Sequence, residues 1–387
     1  MKSHGFLVLA LLMIMPLFGS AQTVSTYDYW PTEGWLTSPA ANQGMNITIL
    51  EAGGQAIEDN DAIVRSMVVV RHGYIVYEQY FTQLYDQDSM HIIYSCTKSV
   101  TSSLIGIAIE QGHIENTSLK VVDLLPDWTI TNPDPRKEDI TLEHLLTMTG
   151  GFEWSEGGAD DDYFHMRFTD DWVQYVIDLP MAADPGASFT YCTGGSHLLS
   201  AILNQSTGMN AAAFAEEYLF GPLGIDTYTW ERDPLGIYNG GAGIALTPRS
   251  MAKFGLLYLN NGSWDGEQIV PEEWVRRSLT PHVYLTPDLS YGYQWWLNTD
   301  DEIPSARGYG GQFIYPLPEY DIVVAFTSDM INEYMSLEQI VIDYVIEAVD
   351  ESLVPEPITE LPLIPTITIG LAAIGIVSTI FVLVRRR

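Results

Sequence analysis

His91-Ile92-Ile93-Tyr94-Ser95-Cys96-Thr97-Lys98 is the stretch that decides the reading of this chain of 387 residues. The residues up to Tyr94 have the character of a strand and its exit loop. From Ser95 a helical pattern runs through Val100, Leu104, Ile107 and Ile109 and stops at Gly112. Residues three apart on a helix share a face, so the Ser95 hydroxyl and the Lys98 amine are expected side by side. Serine is a weak nucleophile until a base takes its proton, and a lysine stripped of water does this near neutral pH. At a helix N-terminus the Ser95 N–H also lacks an intrahelical partner and is free to point at a developing oxyanion. The tetrad therefore offers a nucleophile, a base and half of an oxyanion hole. Because S-x-x-K also arises on ordinary solvent-facing helices, its surroundings have to decide.

Upstream, the runs 66–70 and 74–77 are rich in β-branched and aromatic residues, and His72-Gly73 between them marks a hairpin turn. Downstream, 142–148, 197–205 and 251–258 read as helices within a stretch of loops. Strands return at 291–297, 311–315 and 321–326, and a helix over 336–351 closes the pattern. Strands at both ends around a helical middle predict an α+β domain over 61–352, with a sheet built from both termini and a helical insertion. Residues 22–60, rich in Trp, Pro and Gly, read as an irregular lead-in.

The two ends read as targeting segments. Lys2, the apolar run 6–18 and Gly19-Ser20-Ala21 predict a signal peptide over 1–21. A Pro- and Glu-containing linker over 353–363 leads to 364–384, which carries no charge and as a helix would span about 30 Å, one hydrocarbon thickness. The tail Arg385-Arg386-Arg387 would stay on the cytoplasmic side. These features predict a single-pass protein held at the cell surface by a C-terminal membrane helix, with its catalytic domain outside. Pro355-Glu356-Pro357 ahead of that span also allows a sorting tail that is later cut.

A net charge of −33 argues against nucleic acid and anionic membrane surfaces as partners. No H-E-x-x-H or paired C-x-x-C occurs, so neither a metal nor a cofactor is expected. Glu156 with Asp160-Asp161-Asp162 reads as a solvated acidic loop rather than a calcium site. No G-x-S-x-G surrounds Ser95, which leaves an α/β-hydrolase elbow without support. N-x-S/T sequons at Asn46, Asn116, Asn204 and Asn261 are read as chance occurrences.

Two further segments fit the tetrad's chemistry. Phe189-Thr190-Tyr191-Cys192-Thr193 brings a phenol to the mouth of a helix, where beside a lysine it can relay protons. Gly308-Tyr309-Gly310-Gly311-Gln312-Phe313 precedes an apolar strand, and the N–H of Gln312 is placed to complete an oxyanion hole.

With these segments the chain resembles the serine β-lactamase-like hydrolases, whose class C branch includes esterases, D-amino-acid peptidases and nylon-oligomer-type amidases. The resemblance covers roughly 65–350. It rests on the tetrad, on Ile140-Thr141-Leu142-Glu143-His144-Leu145-Leu146-Thr147-Met148-Thr149-Gly150-Gly151 and on Tyr191-Cys192-Thr193. It also rests on Gly240-Gly241-Ala242-Gly243-Ile244-Ala245-Leu246-Thr247, on Tyr291-Gly292-Tyr293-Gln294-Trp295-Trp296 and on Tyr309-Gly310-Gly311. The resemblance implies an antiparallel sheet with an inserted helical domain and an acyl-enzyme on Ser95. It implies that Lys98 and Tyr191 share base and acid work, and that the N–H groups of Ser95 and Gln312 form the oxyanion hole. Thr193, Tyr309, Gly310 and Gly311 would contact substrate.

Two departures bear on the substrate. Thr193 stands where the family commonly has asparagine, and Tyr309 stands where it has lysine or histidine, so a cation that holds a substrate carboxylate is missing unless Arg307 supplies one. An esterase or amidase acting on a small, less anionic acyl compound is therefore expected. The alternatives are a D-amino-acid peptidase or β-lactamase acting on cell-wall-type substrates, and a non-catalytic surface binding protein. The last has no need of Ser95, Lys98 and Tyr191 together. His144 is read as a packing or capping residue. Cys96 and Cys192 each follow an implied catalytic residue, and the resemblance implies that they lie close together; the sequence permits a disulfide between them and leaves their redox state open.

Overall fold

Met67-Val68-Val69-Val70 has no polar residue on either face, because the strand it forms is covered on both sides. In the computed structural model, which describes residues 27–60, 63–158, 160–329 and 336–354, this run lies in β1 (Val64–Arg71). β1 turns through His72-Gly73 into β2 (Tyr74–Tyr80). Six later strands complete the sheet: β3 (Val283–Tyr284), β4 (Leu289–Tyr291), β5 (Trp296–Asn298), β6 (Ile303–Gly308), β7 (Gln312–Leu317) and β8 (Ile322–Ser328). The order β2-β1-β8-β7-β6-β5-β4-β3 is antiparallel throughout, and β1 joins the two ends of the chain through pairs such as Val68 with Ala325.

The strand period of two sorts alternate residues into two cores. Met67, Val69, Val324 and Phe326 share one with α1 (Ile47–Asp59) and with the closing helical segment that starts at Leu337–Ile340. Val68, Val70, Val323 and Ala325 share the other with α2 (Cys96–Glu110), α3 (Thr193–Thr207) and α4 (Pro248–Leu259).

α2 is the axis of the helical layer and is buried on nearly every side. Its hydroxyl residues fit there because they donate to surrounding loops: Ser99 Oγ to Gln294 O and Thr101 Oγ1 to Gly240 O, both at 2.8 Å. These bonds fix the loops that face the N-terminal end of α2.

Three expectations are corrected. The lead-in 22–60 contains α1, capped by the Asn46 side chain on Thr48 N. Its Gly53-Gly54 pair reads as a helix breaker, but a methyl group at Gly53 would sit 2.8 Å from Tyr344 Cβ, so the glycine is there for close packing. The strand expected over 291–297 is the hairpin β4–β5. The chain turns at Gly292–Trp295, with Gln294 at φ 64°, because Tyr293, Gln294 and Trp295 are buried against the helical layer, where Gln294 Nε2 donates to Leu145 O and Leu146 O. Third, among the described residues no helix is long and apolar enough to cross a membrane. The membrane-helix part of the expected fold, the membrane partner and the cell-surface location are accordingly withdrawn. The segments 1–21, 364–384 and 385–387 lie outside the described residues, as does the linker 353–363 beyond Val354.

Candidate active site

Tyr94 takes a left-handed conformation at φ 45°, which costs a residue with a Cβ about 1 kcal/mol. This bend carries the chain from the short strand His91–Ile92 into α2 and leaves Ser95 at the helix N-cap. The Ser95 side chain makes no capping bond. It accepts instead from Lys98 Nζ at 2.9 Å, one helical turn on. The same ammonium donates at 2.8 Å to Thr193 Oγ1 and at 2.8 Å to Gly241 O. Gly241 can approach because it has no side chain: a methyl there would fall 2.5 Å from Thr193 Cγ2.

Tyr191 completes the group. Its ring lies 4.7 Å from Lys98 Nζ and leans on Trp296 at 5.5 Å, and it lines the cleft together with Ser95. Burial pushes the Lys98 amine down to about 8, against the opposing pull of the Glu156 carboxylate. Burial also raises the Tyr191 phenol far above its ordinary range, and the influence of the Ser95 hydroxyl offsets this only in part. Between the two, Lys98 is the group that is neutral and able to take a proton at mildly alkaline pH.

Ser95, Tyr191 and Thr193 open onto a cleft of about 1080 Å³ that Tyr309, Gly310 and Gly311 also line. Gln312 begins β7 beside α2. Its carbonyl accepts from Cys96 Sγ at 3.4 Å, and its buried side chain is tied to Ser328. The structure thus places Ser95, Tyr191, Thr193, Tyr309, Gly310 and Gly311 on one cleft, with Lys98 buried behind Ser95.

Other expectations fare unevenly. Cys96 and Cys192 are free thiols, not a disulfide. Cys96 turns to Gln312 O, while Cys192 Sγ caps α3 by accepting from Gly195 N at 3.2 Å. Arg307 lines the cleft, but its guanidinium lies 2.7 Å from Glu338 Oε2 and 5.8 Å from the Trp296 ring, so its charge is already paired. His144 is a capping residue: it forms a capping box with Thr141 at the start of the helix Leu142–Leu146.

One residue escaped the sequence reading. Glu156, assigned to a solvated acidic loop, lines the cleft and accepts from Thr193 N at 2.6 Å and from Trp154 Nε1 at 2.7 Å. Its acidic neighbours hid it, and only the nearby Trp154, an indole in need of an acceptor, hinted otherwise.

The family model described as Beta-lactamase matches residues 55–329. The 6-aminohexanoate-dimer hydrolase of Paenarthrobacter ureafaciens is 24% identical over 283 residues, which are 66% of this chain and 70% of that protein. Among solved structures, EstCE1, a hydrolase with promiscuous acyltransferase activity, superposes with a TM-score of 0.67 at 17% identity, over 80% of this chain and 99% of that one. A family VIII carboxylesterase gives 0.64 at 14% identity, over 81% and 98%. At such identities the two structures speak for the fold alone.

Proposed function

The chain belongs to the beta-lactamase family of serine hydrolases, and we propose that it cleaves an ester or amide of a small acyl compound through an acyl-enzyme on Ser95. The observation that carries this reading is the buried Lys98 amine, held 2.9 Å from the Ser95 hydroxyl and neutral above about pH 8. Ser95 Oγ attacks the carbonyl carbon as its proton passes to Lys98. The carbonyl oxygen takes the charge and is met by the N–H groups of Ser95 and Gln312. The Tyr191 hydroxyl gives its proton to the leaving group and regains one from Lys98. Water then attacks the acyl carbon by the reverse relay and frees Ser95.

The substrate side of the reading rests on charge. Tyr309 occupies the position of a family cation, and Arg307 is engaged by Glu338, so a substrate carboxylate meets no unpaired cation among the described residues lining the cleft. A neutral acyl group is favoured over the anionic ones that β-lactams carry.

The test compares the wild type with Ser95→Ala on p-nitrophenyl butyrate, a matching anilide and a chromogenic cephalosporin. Turnover of the ester or anilide that vanishes in Ser95→Ala, with the cephalosporin at least 100-fold slower, is expected. Equal turnover by both proteins would overturn the assignment of Ser95. A cephalosporin rate matching the ester would overturn the substrate reading.

A further inference from the structure

We propose that Glu156 is a positioning residue of this site: its carboxylate clamps the Tyr191–Thr193 turn against Lys98 and supplies the negative charge that the lysine feels while it exchanges a proton with Ser95. This inference rests on the acyl-enzyme reading above.

The geometry is a short chain of contacts. One carboxylate oxygen, Oε1, takes both the Thr193 N–H at 2.6 Å and the Trp154 indole N–H at 2.7 Å. Thr193 is the first residue of α3, where backbone N–H groups lack intrahelical partners and the helix dipole favours an anion. The indole bond fixes the carboxylate, and the carboxylate fixes the peptide between Cys192 and Thr193. On either side of that peptide stand the two groups that meet the Ser95–Lys98 pair. The Thr193 hydroxyl accepts from Lys98 Nζ at 2.8 Å, and the Tyr191 ring lies 4.7 Å from it. A shift of this turn would move an acceptor away from Lys98 and the phenol away from Ser95 together.

The electrostatic role follows from what else faces Lys98. From its own helix come Ser95 and the Cys96 thiol, from the α3 side Tyr191, Cys192 and Thr193, and from the glycine loop the Gly241 carbonyl. All are neutral in the resting protein, since burial raises both thiols and the phenol well above their ordinary ranges. Glu156 is the nearby group that carries a charge and opposes the desolvation of the ammonium. Its charge also acts on Tyr163 and Tyr291, both phenols that burial keeps protonated. Removing its charge alone should make Lys98 lose its proton more readily.

The experiment uses two variants of the full chain and a neutral p-nitrophenyl ester. Glu156→Gln keeps an oxygen for Thr193 N–H and Trp154 but removes the charge. Its acidic limb of kcat/KM is expected about 0.5–1 pH unit below that of the wild type, with plateau kcat within about threefold. Glu156→Ala removes clamp and charge together. Plateau kcat is expected to fall about 10- to 100-fold with KM changed less than threefold, a loss that Gln largely rescues. A Glu156→Gln limb that coincides with the wild type overturns the electrostatic role, and wild-type kcat in Glu156→Ala overturns the clamp. If Glu156→Ala does not fold, the Gln limb still decides the electrostatic role, and Trp154→Phe, which removes the indole bond that fixes the carboxylate, decides the clamp: kcat is expected to fall, and wild-type kcat overturns it. The absence of any Ser95-dependent turnover in the wild type would instead sink the acyl-enzyme reading, so the two failures are separable.

Discussion

Lys98 Nζ stands 2.9 Å from Ser95 Oγ with its side chain sealed from water, so its charge is costly and its neutral form is the base within reach of the nucleophile. The remaining donors of that amine are spent on Thr193 Oγ1 and Gly241 O, which hold it in place.

A base of about 8 must lose its proton to act, so kcat/KM should rise as pH rises through about 8 and level off above it. A profile on a neutral ester that is flat between pH 7 and 9 would contradict the assignment.

The same burial has a stability consequence. The folded amine sits below its unfolded value of 10.5, so protonation costs the fold its full penalty below about pH 8 and none above about 10.5. Lys98→Met should abolish turnover and, at pH 7, stabilise the fold by about 1–2 kcal/mol, the lost hydrogen bonds offsetting part of the relief. The gain should shrink as pH rises toward 10.5. Chemical denaturation at pH 7 and pH 10 measures both, and a destabilised variant at pH 7 contradicts the account.

Tyr191→Phe removes the proton donor but keeps the ring packed on Trp296. Steady-state kinetics should show kcat reduced about 100- to 1000-fold with KM little changed. An unaltered kcat would assign the leaving-group proton elsewhere.

Substrate charge is testable through the Arg307–Glu338 pair. Glu338→Gln leaves the guanidinium without its counter-charge at the cleft wall. KM for an ester with a carboxylate on its acyl chain should fall about 3- to 10-fold, while a neutral ester is unaffected. No difference between the two substrates would mean that Arg307 does not reach bound acyl groups.

What the sequence made legible was set by local rules. The β1–β2 hairpin and α2 follow from period and turn residues that tertiary contacts reinforce, and Ser95 and Lys98 follow from helical spacing. α1 was hidden because Gly53 reads as a breaker when taken alone, and its reason, the ring of Tyr344 pressed against it, lies far away in sequence. The β4–β5 turn was hidden because Tyr293 and Trp295 have strand-like character but are buried against the helical layer. Glu156 was hidden because a carboxylate in an acidic loop looks solvated until Trp154 and the α3 N-terminus are seen beside it.

Gly53 yields a fold test. Helix propensity alone predicts that Gly53→Ala stabilises by about 1 kcal/mol. The contact with Tyr344 predicts a net loss of about 1–2 kcal/mol with kinetics unchanged. A higher melting temperature in the variant would rule out the packing explanation.

The most direct test of the central claim is to treat the protein with a fluorophosphonate and with a fluorescent penicillin and to map the adducts by mass spectrometry. The account predicts stoichiometric fluorophosphonate labelling of the peptide containing Ser95, lost in Ser95→Ala, and weak or no penicillin labelling. A fluorophosphonate adduct on another residue, or none while ester turnover persists, would contradict it.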